Sequence, residues 1–176
     1  TTTIQNQGAG TYSFSVSGGT FDAQYYSIRN TDTNGLNLSG TPTISSLGNG
    51  DYQLGLNGGT MLTVAGSVID ANALLITMHD RFATSTGISS GYNVTEVGTP
   101  ASSWKFNLAS GNFEGEAHDN DPGGDPGYIV WDDSASQISI SGHVYSDDGT
   151  TVSSVCDGTT TVVRLMVEGA GNYTSS

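Results

Sequence analysis

Apolar and polar residues alternate along most of this chain. Tyr12, Phe14 and Val16 are interleaved with Ser13, Ser15 and Ser17, the two-residue period of a strand with one buried face. Short runs of the same kind follow at 23–29, 36–39, 52–56, 61–64, 92–97, 104–108 and 128–131. Between them stand Gly18-Gly19, Asn34-Gly35, Gly48-Asn49-Gly50, Asn57-Gly58-Gly59 and Ser110-Gly111-Asn112. Glycine and asparagine tolerate the positive φ that turns require, so each of these predicts a turn. Strand centres recur at roughly 8–12-residue intervals, the spacing of a sandwich, a barrel or a solenoid. One segment is ambiguous. After Asp70, a possible cap, Leu75, Met78 and Phe82 fit one face of a helix, but 74–78 also reads as a buried strand. The β-rich surroundings favour the strand. No strict internal repeat is visible.

The pattern changes after residue 135. Ile138, Ile140 and Val144 share a face in 137–145, the turn Asp147-Asp148-Gly149 follows, and Val163, Leu165 and Val167 alternate beyond Cys156-Asp157-Gly158. These two strands read as the opening of a second β-module. Two or three strands alone are marginal in water. The expected organisation is therefore a main β domain over 1–135 and a β-module over 136–176, incomplete or completed by a neighbouring chain. At the other end, Thr1–Gly10 is polar with one apolar anchor, Ile4. It reads either as a free tail or as a donor strand for a neighbour's open sheet.

Charge narrows the partners. Seventeen acidic residues oppose only Arg29, Arg81, Lys105 and Arg164, giving a net charge of −13. Phosphate backbones and anionic membrane surfaces need a basic patch, so neither is an expected partner. No run of apolar residues is long enough for a membrane-spanning helix. Only 12% of residues are charged, and Ser, Thr, Asn and 25 Gly fill the difference, as in many extracellular β-proteins. The start at Thr1-Thr2-Thr3 reads as a processed or trimmed terminus, which agrees with an extracellular or cell-surface location. Cys156 is the one cysteine, so no internal disulfide is expected.

The candidate chemistry concentrates in residues 114–133. Glu114, Glu116, Asp119, Asp121, Asp125, Asp132 and Asp133 lie there with no Lys or Arg among them, around two Asp-Pro-Gly turns. Carboxylates this dense repel one another unless something positive holds them, and calcium takes six to eight oxygens from acidic loops. Glu116, Asp119, Asp121, Asp125, Asp132 and Asp133 are the expected calcium ligands. The loop is not an EF-hand, because Val130 stands where the bidentate Glu would be.

Catalysis finds less support. Glu114 and Glu116 share a face if that stretch is a strand, about 7 Å apart, within the range for glycoside hydrolysis. Asn30-Thr31-Asp32, Asp132-Asp133, Gly142-His143 and Arg164-Leu165-Met166 echo polysaccharide hydrolases, but the last lacks its Lys and the first gap is far too long. There is no nucleophile elbow, phosphate loop or dinucleotide fingerprint, and His79, His118 and His143 lack metal-ligand spacing. His118 stands beside the acidic cluster, either paired with it or as a plain loop histidine. Trp104, Trp131 and Tyr25-Tyr26 are candidates for stacking on sugar rings, although aromatics in alternating strands are core by default.

The stretches Gly18–Tyr26, Gly35–Gly40 and Gly115–Asp133 resemble segments of large bacterial cell-surface proteins with right-handed parallel β-helix regions. Residues 140–149 are similar to the first strand of immunoglobulin-like modules in those proteins. The resemblance implies a partner for Cys156 further along such a module, and an extracellular structural or adhesive role without catalytic residues. The expectation is thus an all-β protein, with a β-helix-like or β-sandwich main body followed by a short immunoglobulin-like β-module. Its expected function is that of a non-enzymatic surface or filament subunit, assembling with copies of itself through strand pairing and stabilised by calcium. A carbohydrate-binding module, with glycans as partners, is the alternative, and a glycan-active enzyme the third possibility.

Overall fold

In the computed structural model of the protein, the described residues are 2–73, 76–78, 80–124, 126–132, 166–169 and 172–175. The protein is all-β with one short helix, Gly66–Ala71 (α1). It divides into two compact units, Thr1–Ala135 and Ser136–Ser176. No described helix is long and apolar enough to cross a membrane.

The first unit is a parallel β-helix of five stacked coils. Coil one carries β1 (Thr2–Ile4), β2 (Tyr12–Val16) and β3 (Thr20–Gln24). Coil two carries β4 (Tyr26–Arg29), β5 (Thr31–Leu38) and β6 (Thr43–Gly48), and coil three β7 (Asp51–Leu54), β8 (Gly59–Ala65) and β9 (Ile76–Met78). Coil four carries β10 (Arg81–Thr84), β11 (Gly91–Val97) and β12 (Trp104–Asn107). Coil five contributes single bridges at Ser110 and Asn120 and the strand β13 (Ile129–Asp132). One sheet runs β1-β4-β7-β10 and a second runs β2-β5-β8-β11. The third face holds β3-β6 and, beyond it, β9-β12-β13. Every ladder in this unit is parallel. A sandwich would need antiparallel pairs, so the sheet direction decides for the β-helix.

The core is built by columns rather than by local pairs. Phe14, Leu36, Leu62 and Val94 stand in register across the second sheet, each buried or half-buried. The steps between them are 22, 26 and 32 residues, which is why no fixed repeat shows in the sequence. On the other side of the interior the rings of Tyr52 and Phe82 stack at 5.2 Å, and Phe106 and Trp131 stack at 4.8 Å. Stacked like residues on successive rungs bury continuous apolar surface without a hairpin.

Several sequence expectations change here. The run 23–29 is two strands, β3 and β4, with a corner at Tyr25 (φ 54°). Asn34-Gly35 does not end a strand; β5 passes through it, and the register slips between Tyr12 and Phe14 opposite. Gly35 has φ 65°, and a Cβ there would lie 2.1 Å from the Met61 carbonyl oxygen. Gly35→Ala is therefore expected to cost about 2 kcal/mol, from strain plus displaced backbone, read as a lower urea midpoint; an unchanged midpoint would refute the close approach. The helical alternative after Asp70 is not formed: α1 ends at Ala71, Met78 lies on β9 and Phe82 on β10, so the strand reading holds over 76–78. Asp70 lies inside α1 and its Oδ1 accepts from the backbone N–H groups of Ala101 (2.8 Å) and Ser102 (2.9 Å) on the next coil. Residues 2–4 are neither free nor donated, since β1 pairs with β4 of its own chain.

In the second unit, Met166–Gly169 (β14) and Asn172–Ser175 (β15) form an antiparallel hairpin. The strand expected at 137–145, Cys156 and the immunoglobulin-like comparison fall outside the described residues.

Candidate functional site

The acidic loop follows a short 3-10 turn, Glu116–His118, and joins coil five to β13. Glu114 and Glu116 lie in this turn region and not on a strand, so the shared-face geometry expected for an acid–base pair is not formed. His118 stacks on the Phe113 ring, with centroids 4.1 Å apart.

Asp121 organises the loop. Its Oδ1 accepts from the backbone N–H of Gly123 at 2.8 Å, and its Oδ2 from that of Ile129 at 2.6 Å and that of Tyr128. Backbone N–H groups of Gly123, Tyr128 and Ile129 thus converge on this one side chain. A Cβ at Gly127 would come within 2.2 Å of Oδ2, so only glycine lets the backbone close there. Asp119 Oδ2 accepts from the Trp131 indole N–H at 2.8 Å, and Asp132 pairs with Lys105 on the neighbouring strand. The charge density thus has protein donors of its own. Among the described residues, no three His, Cys, Asp or Glu side chains converge on a common point. Of the expected calcium ligands, Asp119, Asp121 and Asp132 are engaged by these protein donors, and Asp125 and Asp133 fall outside the described residues.

A carboxylate accepting several backbone N–H bonds is worth more than any one of them, at about 1.5–3 kcal/mol per charged bond. Asp121→Ala is expected to lower stability by roughly 2–3 kcal/mol. Asp121→Asn, which keeps one acceptor, should recover part of this loss. Equal midpoints for Ala and wild type in urea unfolding would show that the loop holds without Asp121.

Two buried carboxylates, absent from the sequence expectations, lie behind the loop and across the barrel from it. Glu96 stands in register with Val64, which is paired with Leu38, which is paired with Val16. A carboxylate thus continues an aliphatic column, and neither of its oxygens has a partner among the described residues. The backbone bridge Thr95–Asn120 brings Asp121 beside it. Burial first, and the Asp121 charge second, push Glu96 up to about 6. The signal was in the sequence: Val94 and Glu96 share the inward face of an alternating strand. Asp80 is only 2% exposed. Its Oδ1 accepts from the Gly50 N–H at 2.6 Å, while Oδ2 has no partner among the described residues. Burial raises it to about 7, against the lowering effect of the Gly50 bond. Beside it, the hydroxyls of Tyr26 and Tyr52 meet at 2.5 Å, and both phenols are pushed well above their ordinary value, chiefly by burial.

The aromatics proposed for sugar stacking do not form a row. Trp104 is fully buried, its indole N–H bonded to the Asn72 carbonyl at 3.1 Å. Tyr26 is buried and Trp131 is stacked on Phe106 at the core margin, leaving Tyr25 exposed. A groove of about 330 Å³ lies on the second sheet, across β5, β8 and β11.

No family model, no curated protein and no solved structure matches this chain.

Proposed function

We propose that this protein is an extracellular structural protein, a surface or filament subunit built on a β-helix shaft. The observation that carries the reading is the open end of coil one. The strands β1, β2 and β3 each pair on one side only among the described residues. Inside that end, Phe14 and Phe21 are half-buried and meet edge-to-face at 6.3 Å. Ile4 and Tyr25 are exposed at its rim. A parallel β-helix extends by adding rungs, and an uncapped rung offers both unpaired backbone groups and an apolar interior. In this reading a neighbouring copy supplies the complementary rung. Calcium enters this reading as a screen for the −13 charge between subunits. No catalytic residue is part of it.

Electron microscopy and sedimentation of the purified chain, with calcium and with chelator, test the proposal. End-to-end particles are expected, longer with calcium. The double variant Phe14→Lys, Phe21→Lys places two charges in the open end and should abolish association, with circular dichroism checking that the remaining coils stay folded. A chain that stays monomeric at every concentration, with and without calcium, would sink the assembly reading.

A further inference from the structure

We propose that the outer groove across β5, β8 and β11 binds a neutral polysaccharide chain. Asn34, Thr63, Tyr92, Thr95 and Asn120 line it, together with Thr60, which is buried with its hydroxyl donated to the Leu62 carbonyl at 3.2 Å. None of these side chains is charged, on a protein whose net charge is −13. The net charge repels polyanions, while the groove lining offers no carboxylate to a cation.

The shape fits the same ligand. Ser15, Asn37, Thr63 and Thr95 stand in one outward column across four rungs, and Asn120 bridges Thr95 on the fifth. Parallel strands repeat at about 4.8 Å, close to the length of one sugar residue in an extended glycan. Of this column Thr63, Thr95 and Asn120 line the groove, so successive sugars there meet a hydroxyl or amide on each rung. The Asn34 edge of the groove is fixed, because Thr63 Oγ1 donates to the Asn34 carbonyl at 2.8 Å and the bulge at Gly35 turns that segment outward. Tyr92, 40% exposed, presents an aromatic ring for the apolar face of a pyranose. A rigid, largely preformed polar cleft with one aromatic wall loses little entropy on binding. This inference does not rest on the assembly reading, since the groove lies on the side of the shaft and coil one's open end lies at its tip.

Affinity gel electrophoresis of the intact chain in gels containing dextran, mixed-linkage β-glucan, xylan or alginate tests the proposal. Retardation by at least one of the three neutral polymers, and none by alginate, is expected. Tyr92→Ala should weaken that binding about tenfold or more, and Thr95→Arg, which fills the groove, should abolish it, both with an unchanged melting temperature. Absence of retardation in all three neutral gels overturns the proposal. So does binding that survives both substitutions, or that is lost in Tyr25→Ala and kept in Tyr92→Ala. Filament formation in the same samples is scored separately, so failure of one reading leaves the other standing.

Discussion

Phe82→Ala is expected to remove about 3–5 kcal/mol of stability from the β-helix unit. The ring is fully buried where two stacks meet. It lies 5.2 Å from Tyr52 in a parallel stack and contacts Phe106 and Trp131 edge-on at 5.6 and 5.4 Å. These three partners sit on coils three, four and five. Removing the ring leaves a cavity that close-packed rungs, held by backbone ladders on two sides, cannot collapse to fill. A second consequence follows from the chain path. Phe82 also supplies the carbonyl that accepts the Phe113 N–H at 3.2 Å, and its N–H donates to Ser110 at 2.8 Å. Loss of the ring therefore loosens the entry to coil five and, with it, the acidic loop. Phe82→Leu should cost less, about 1–2 kcal/mol, because it refills part of the volume. Urea unfolding of the three proteins checks the order. An Ala variant within 1 kcal/mol or so of wild type would mean that the aromatic column does not hold the coils together.

The second large effect is on pH. Asp80 has an ordinary value of 3.8 and sits at about 7 in the folded chain. Below pH 4 or so both states carry the proton and Asp80 contributes nothing. As pH rises to 7 the unfolded chain releases the proton and the folded chain keeps it, so each step favours unfolding. Above about 7 the penalty is complete and of order 4 kcal/mol. Glu96, at about 6, adds in the same direction, and so does the self-repulsion of a −13 chain. The acid limb has the opposite sign. Burial alone would raise Asp51, but hydrogen bonds from Arg81 (2.6 Å) and Arg29 (3.1 Å) outweigh it and hold its carboxyl below the ordinary value. That contribution is lost as pH falls below about 4. Maximal stability is therefore expected near pH 4–5, with a steady fall toward pH 8. Melting temperatures between pH 3 and pH 9 in chelator-treated buffer measure the curve. Asp80→Asn, which keeps the acceptor for the Gly50 N–H, should flatten the slope between pH 5 and pH 8 and exceed wild type at the alkaline end. A wild-type curve that rises over that interval would mean that Asp80 is solvated or paired.

The acidic run shows how composition and structure divide the work. In sequence, seven carboxylates without a base call for a cation. In the fold, Asp121 spends its oxygens on three backbone N–H groups, Asp119 takes the Trp131 indole, and Asp132 takes Lys105. Lys105 lies 27 residues from Asp132 and Trp131 lies 12 residues from Asp119, so no local motif announces either pair.

The sequence by itself determined what is local. Alternation in Tyr12–Val16, Tyr92–Val97 and Trp104–Asn107 specified strands and their inward faces, because the side-chain period of a strand depends on the backbone alone. It also determined the charge of −13, from which a basic, polyanion-binding surface is not expected. Only the tertiary structure decided which strands stack, where each coil closes and which buried acid loses its water. Those outcomes depend on residues 22 to 32 positions apart meeting in register, and variable loops erase that spacing from the sequence. Asn34-Gly35 is the sharpest case: the dipeptide favours a turn, but β5 runs through it and pairs with β8 from Leu36 onward, with the Gly35 backbone close against the Met61 carbonyl. Glu96 is another: alternation placed it inward, and only the rung above and the loop below fixed what it meets there.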